Sequence, residues 1–288
     1  MQDYIQGSLE WKAMRKNHIM ASDAPVILGV SPYGKTAHQL WQEKLGLSQE
    51  EKETSAMAYG KMMEDPARDA YQLYTGNIVK PEVVFHPSIK YMGASLDGLT
   101  ENGDIAVEIK NTNLTNHEIA KKGHVPDGFY PQVQHQLACL GIEMMHYFSF
   151  YKGESALVEV PRDETFLEQL YARESQFWEK VLNLEEPDLT DKDFIKFDDE
   201  IWELNITKDW NVINSQLAIL EKRKEEIKNA IISRANAHNS KGAYLRVERI
   251  IRKGNVDYKA IPELRGVDMN KYRKDPSVFW KITSQEVA

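Results

Sequence analysis

The stretch Ser95–Lys110, SLDGLTENGDIAVEIK, decides the fold. Ala106–Lys110 has the apolar character of a strand. Side chains alternate along a strand, so Val107 and Ile109 point one way while Glu108 and Lys110 share the other face. Glu101–Asp104 consists of turn-forming residues. A hairpin folded about that turn returns Asp97 to the side of Glu108. The spacing therefore predicts one sheet face carrying an aspartate, a glutamate and a lysine.

Outward from this hairpin, Ile78–Phe85 and Tyr91–Leu96 read as strands before it, and Met145–Tyr151 and Ala156–Val160 as strands after it. Ser8 is a candidate N-cap for a helix carrying Trp11, Met14 and Arg15, and Ser22 for a second, with Pro25 in its first turn. Thr36–Leu45 is a helix ended by Gly46. Met57–Tyr74 is read as one long helix through Glu64 and Arg68, ended before Gly76. Thr115–Lys122 is a loop or helix, and Pro131–Leu140 a helix. Helices interleaved with strands give a mixed α/β (α+β) sheet with helices packed on it.

After Pro161 the pattern turns helical, first through Phe166, Leu170, Phe177 and Val181. Val212–Ala237 places Ile213, Leu217, Leu220, Ile227 and Ile231 at helical spacing. That run also fits heptads, but core packing or a helical pair is the expected use. Ala243–Ile251 and Asn255–Ile261, flanking Lys253-Gly254-Asn255, read as a β-hairpin. The chain is thus divided into residues 1–195 and an extension of residues 196–288.

The 288 residues, 42% of them hydrophobic, can bury a substantial core. A single cysteine, Cys139, excludes a disulfide framework within the chain and is expected as a small buried hydrophobe. There is no signal pattern and no long apolar run, so a cytoplasmic protein without a membrane partner is expected. The net charge of -8 is uneven: from Gly242 onward 10 Lys+Arg face 6 Asp+Glu, which leaves -12 on the rest. An acidic body with a basic tail is compatible with DNA, because a local basic groove can engage phosphates whatever the global charge. Within the tail, Arg246, Arg249, Arg252 and Lys253 are expected to form a charged solvent face, with contact to DNA or a partner as the other reading.

Asp97 followed by Glu108-x-Lys110 has the shape of a metal-dependent nuclease signature. Hard divalent ions take carboxylate oxygens, waters and substrate phosphate, and a lysine can hold the attacking water or a phosphate oxygen. Alone the signal is weak. Context strengthens it: Gly60–Arg68 (GKMMEDPAR) places Glu64 on a helix before the sheet, and Tyr130–Gln136 (YPQVQHQ) opens a helix on which Gln132 and Gln136 share a face. An amide there could orient a phosphate or a water. Gln134 and Gln136 are nonetheless expected on a solvated helix face.

The segments GSLEWKAMR, MASDAPVILG, GKMMEDPAR, ASLDG, VEIK and YPQVQHQL, in this order, make the chain resemble the phage lambda exonuclease and YqaJ-like viral recombinase family of the PD-(D/E)xK nuclease superfamily. The resemblance runs from Gly7 to Tyr151. It implies a restriction-endonuclease-like core and a 5′→3′ exonuclease on linear double-stranded DNA that leaves 3′ single-stranded overhangs for recombination by strand annealing. It also implies two Mg²⁺ ions per site, with Mn²⁺ able to substitute. Asp97, Glu108 and the Ile109 carbonyl would ligate metal, and Lys110 would position the nucleophilic water. Glu64 and Gln132 match the remaining catalytic positions, while Arg15, Ser22 and Ser95 match residues that grip the DNA 5′-phosphate. The implied partners are duplex ends, a single-strand annealing protein and further copies of the chain in a ring-shaped trimer, in the cytoplasm of a bacterial host.

The chain departs from the family in one place. An arginine expected in the phosphate pocket is missing from Asn113–His117, which leaves Lys121, Lys122 or another segment to supply the charge. Two other readings remain: another nuclease of the superfamily, structure-specific or helicase-linked, or a non-catalytic DNA-binding scaffold. The chain shows no nucleoside-triphosphate loop and no cysteine set for an iron–sulfur cluster. The intact Asp97, Glu108 and Lys110 speak against the scaffold.

Overall fold

The computed structural model describes residues 8–48, 55–236, 238–267, 272 and 282. The chain falls into two compact units, Met1–Phe194 and Ile195–Ala288.

The first unit opens with α1 (Leu9–Lys16), whose N-cap Ser8 accepts from the Trp11 N–H as expected, and a short strand β1 (Ile19–Met20). The second helix start differs from its sequence reading. A 3₁₀ turn at Ala21–Asp23 precedes the short α2 (Ala24–Ile27), and the Asp23 carboxylate, not Ser22, ties the turn by accepting from the Met20 N–H at 2.9 Å. The Ser22 hydroxyl instead accepts from Arg15. Helix α3 (Ala37–Leu45) has the capping box Thr36–Gln39 and ends at Gly46, in the left-handed region.

The single helix expected over Met57–Tyr74 is two, α4 (Ser55–Met62) and α5 (Glu64–Thr75), broken at Met63. Pro66 accounts for the break: it has no N–H to give, and its ring excludes the carbonyl four residues back, that of Met62.

Six strands form the sheet: β1, β2 (Lys80–Phe85), β3 (Met92–Leu99), β4 (Ala106–Asn111), β5 (Met144–Tyr151) and β6 (Glu154–Pro161). Their order is β1-β3-β4-β5-β6, with β2 also on β3. β2 pairs with β3 from Gly93 to Leu99, so β1 (at Met92 and Gly93) and β4 (at Gly98 and Leu99) must share the opposite edge of β3. Between those two pairings the edge of β3 is split, and Ser95 and Asp97 lie in the split. β4 and β5 run parallel, connected by α6 (Leu114–Lys121, N-cap Asn113) and α7 (Tyr130–Leu140).

One sheet face packs on α7, where Ala106, Met145 and Tyr147 meet Phe129, Val133 and Leu137. The other receives α5, with Tyr71 fully buried among Val79, Val107 and Phe148. Helix α8 (Glu164–Asn183) adds Leu167 and Leu170 to Met92, Ala94 and Leu96, beside the buried Cys139. The mixed α/β architecture read from the sequence is the one observed. No helix among the described residues is long and apolar enough to cross a membrane.

The second unit holds α9 (Glu200–Arg234), which begins twelve residues before its expected start at Val212 because Asp199 caps it, accepting from the Trp202 N–H at 2.9 Å. None of its residues is buried, so the core-packing role expected of it does not hold. The described remainder of this unit offers only two-residue strands and single 3₁₀ turns, too little apolar surface to cover a 35-residue helix. The hairpin also falls elsewhere: β7 (Ser240–Lys241) pairs with β8 (Arg246–Val247) about a Gly242–Leu245 turn, and residues 258–260 form a 3₁₀ turn. The ladder stops at Val247 because the Asn239 side chain accepts from the Arg249 N–H at 2.7 Å.

Candidate active site

The β3–β4 register pairs Gly98 with Val107, and one step further brings Asp97 level with Glu108. Gly98 is what allows the approach: a Cβ there would fall 2.5 Å from Val79 and 2.8 Å from Val107. Where the ladder opens, the Ile109 N–H donates to Asp97 Oδ2 at 2.8 Å, a side-chain bond in place of the next backbone bond. On the other side Arg68 Nε donates to the Asp97 carbonyl at 2.9 Å and Nη1 to Asp65 at 2.7 Å, which fastens α5 to β3.

Glu108 is 1% exposed, and both its oxygens are held. Oε1 accepts from Lys110 Nζ at 2.5 Å and Gln132 Nε2 at 2.6 Å, and Oε2 accepts from Gln136 Nε2. Lys110 Nζ also lies 5.3 Å from the centre of the Phe129 ring. Burial works against the Lys110 charge, but Glu108 and Asp97 outweigh it and hold its pKa above the ordinary value. Asp97 is pushed up to about 7 by burial and by the Glu108 charge, with a smaller contribution from Glu64 and opposition from Lys110 and the Ile109 N–H. Glu64, the first residue of α5, is thus within electrostatic reach of the pair. Of the expected catalytic set, Asp97, Glu108, Lys110 and Gln132 are linked by direct hydrogen bonds or through Ile109.

Correction is needed for Gln134 and Gln136, which are fully buried and not on a solvated face. Gln134 Nε2 donates to the Pro161 carbonyl at 2.8 Å and its Oε1 accepts from the Asp163 N–H at 2.9 Å. Gln136 belongs to the Glu108 cluster. Their burial follows from α7 being covered by the sheet on one side and α8 on the other; the spacing of Gln132 and Gln136, one helical turn apart, was the available signal.

Arg15 and Ser22 are together, with Arg15 Nη2 donating to Ser22 Oγ at 3.0 Å. Beneath them Lys44, buried, donates to the carbonyls of Arg15 and His18 at 2.8 and 2.7 Å and to Asp23 Oδ2 at 2.5 Å. Burial raises the Asp23 carboxyl, but Lys44 and Arg15 prevail and keep it below the usual range. Lys44 was not singled out from the sequence, since a lysine in an amphipathic helix carries no mark of burial. Ser95 is in the split of β3. Its Oγ is buried without a partner, and so is Oε1 of Gln136. Lys121 pairs with Glu118 at 3.0 Å and Glu154 at 3.6 Å, so it is already engaged by acids.

Among the described residues no three His, Cys, Asp or Glu side chains form a ready metal cage. The donors at hand are the Asp97 and Glu108 carboxylates and the Ile109 carbonyl, an all-oxygen set that fits a hard cation retaining several waters. Burial raises Asp97 most, and the Glu108 charge that adds to it is what a divalent cation would relieve.

Residues 10–143 match the YqaJ-like viral recombinase domain. Over this segment, a little under half of the chain, the sequence is similar to that family. The YqaJ-like domain is accompanied by similarity to the uncharacterized protein YqaJ of Bacillus subtilis (strain 168), 30% identical over 187 residues, covering 62% of this chain and 58% of the relative. The chain therefore spans a little over half the length of that relative. Among solved structures, an alkaline exonuclease from Laribacter hongkongensis is 26% identical with a TM-score of 0.53, covering 62% of this chain and 94% of that one. A second structure of that exonuclease, in complex with dAMP, matches at 27% identity and the same TM-score of 0.53. The YqaJ-like domain is thus related in fold to an exonuclease.

Proposed function

We propose that the chain is a Mg²⁺-dependent exonuclease that degrades linear double-stranded DNA from 5′ ends and leaves 3′ overhangs for a single-strand annealing protein. The observation that carries this reading is the Asp97–Glu108–Lys110 cluster in the split of β3, with Gln132 on Glu108. Two Mg²⁺ ions, or Mn²⁺ in their place, would supply activation of water and neutralisation of charge on the scissile phosphate. Asp97, Glu108 and the Ile109 carbonyl would hold them. Lys110, 21% exposed, presents its ammonium to the attacking water or to a phosphate oxygen. Gln132 fixes the Glu108 oxygen nearest Lys110, and Glu64 adds a carboxylate within electrostatic reach of Asp97.

Polarity follows from Arg15, Ser22 and Ser95. A terminal phosphate carries more charge than an internal diester, so a guanidinium and hydroxyl donors favour it through charge-assisted bonds. The unpartnered Ser95 Oγ supports this role, since a buried hydroxyl without a partner is costly unless a ligand completes it. With no arginine at Asn113–His117, the preference for 5′-phosphate is modest. A related exonuclease holding dAMP is in keeping with a nucleotide product. The same reading extends to a ring-shaped homotrimer around DNA.

The test is a linear duplex labelled at one 5′ end, incubated in Mg²⁺ or EDTA. Release of labelled nucleotide only in Mg²⁺, faster from 5′-phosphate than from 5′-hydroxyl ends, is expected. Degradation from 3′ ends or of closed circles would remove the polarity, and hydrolysis unaffected by EDTA would remove the metal.

A further inference from the structure

Ser31–Gly34 (SPYG) is a four-residue turn: the Gly34 N–H donates to the Ser31 carbonyl at 3.2 Å, and Gly34 has a φ of 74°. Proline at the second position and glycine at the fourth are what a type I turn favours. The turn is firmly seated. The Val30 N–H donates to the Pro25 carbonyl at 2.9 Å, and Gly128, just before α7, lies so close beneath that a Cβ there would be 3.1 Å from Pro32 and 3.3 Å from the Val30 carbonyl.

This rigid turn displays Tyr33 with 81% of its surface exposed. A single exposed aromatic means little; its position gives it meaning. The Tyr33 ring is 6.4 Å from Phe129, and Phe129 is the ring beside Lys110 Nζ. Phe129 in turn stacks on the buried Tyr147 at 6.1 Å, and Tyr147 pairs with Glu108 across β4 and β5. An aromatic row thus runs from the core behind the active-site carboxylate out to a free ring at its mouth.

We propose that Tyr33 is a nucleobase-stacking subsite, its ring taking the face of the base attached to the phosphate held beside Lys110. The inference rests on the nuclease reading and names a contact to the substrate that the carboxylates and the phosphate grip do not make. Every base has a π-face, so such a platform accepts any sequence, as an enzyme that consumes whole duplexes needs. A turn already fixed by Pro32 and Gly34 loses little freedom on binding. Because stacking is made equally in the ground and transition states, it acts on KM more than on kcat.

Steady-state kinetics on 5′-phosphorylated linear duplex in Mg²⁺ tests this, with Tyr33→Ala and Tyr33→Phe beside the wild type. Tyr33→Ala is expected to raise KM roughly tenfold with kcat nearly unchanged, and Tyr33→Phe to match the wild type. A binding arm uses the Asp97→Asn background and 2-aminopurine at the 5′-terminal nucleotide. Its fluorescence is expected to be quenched on binding when Tyr33 is present or replaced by Tyr33→Phe, and not after Tyr33→Ala. Active Tyr33→Ala with unchanged KM and unchanged quenching overturns the stacking subsite alone. Tyr33→Phe behaving like Tyr33→Ala overturns it in favour of a hydroxyl contact. A wild type that leaves the duplex intact in Mg²⁺ overturns the nuclease reading beneath it.

Discussion

Nine of the eleven residues of α7 are buried, three glutamines and a histidine among them, whereas none of the thirty-five residues of α9 is, although Trp210, Ile213, Leu217, Leu220 and Ile227 recur along it. Each inward polar side chain of α7 has at least one defined partner: Gln132 and the Gln136 amide N–H on Glu108, Gln134 on the Pro161 carbonyl and the Asp163 N–H, and His135 between Glu174 and the Gly93 carbonyl. A polar residue buried in this way is costly unless partnered, so each contact fixes the helix in place. The apolar residues of α9 impose no such constraint within the described structure. Apolar periodicity alone does not separate a helix that holds a site from one that remains exposed; the polar residues within the stripe do.

The sharpest way to break this comparison is at His135 and Glu174. His135 Nδ1 is 2.7 Å from Glu174 Oε1 and Nε2 is 2.9 Å from the Gly93 carbonyl; both neighbours accept, so the ring carries two protons. Burial opposes that charge, but Glu174 and Cys139 raise the His135 pKa well above its ordinary value. Glu174→Ala, which leaves this charge buried and unpaired, is expected to cost about 3–5 kcal/mol of stability in urea unfolding. A loss below about 1 kcal/mol would mean the pair is not formed.

The same pair sets a pH dependence. Its folded pKa lies above the unfolded value, so its stabilisation is complete below roughly pH 6.5 and is lost as pH rises through the folded pKa. Unfolding free energy measured from pH 6 upward into the alkaline range should therefore decline in the wild type, and the Glu174→Ala protein should lack that component. An equal slope in both would break the assignment.

A smaller effect is expected from Gln136, which holds a Glu108 oxygen without reaching substrate. Gln136→Ala should lower activity or metal affinity about 10- to 100-fold with the fold retained, read by Mg²⁺ titration of the exonuclease rate. The smallest belongs to α9. Leu217→Ser, half exposed, should shift unfolding by no more than about 0.5 kcal/mol. A loss above 1 kcal/mol would show the stripe to be covered in solution and erase the contrast with α7.

The hairpin of Asp97 and Glu108 was legible because period-2 alternation and an Asn-Gly turn are local signals. The cap at Ser8 was legible for the same reason, as was the end of α3 at Gly46. What escaped depends on tertiary covering. Gln134 and Gln136 look solvated until α8 and the sheet enclose them, and Lys44 looks like any surface lysine until its ammonium is found among the Arg15 and His18 carbonyls and Asp23. Ser22 was misread as a cap because it lies inside the 3₁₀ turn, where its hydroxyl accepts from Arg15 and the Asp23 carboxylate ties the turn back to the Met20 N–H. Pro66 was visible, yet the apolar pattern on both sides of Met63 hid the break it makes.

The most direct test of the central claim is single-turnover digestion of 5′-phosphorylated linear duplex in Mg²⁺ by the wild type, Asp97→Asn, Lys110→Ala and the double variant. Each single variant is expected to fall by about two orders of magnitude or more, near 3 kcal/mol, and the double variant little further, because the groups act as one unit. Near-full activity of Asp97→Asn in a folded protein would contradict that claim.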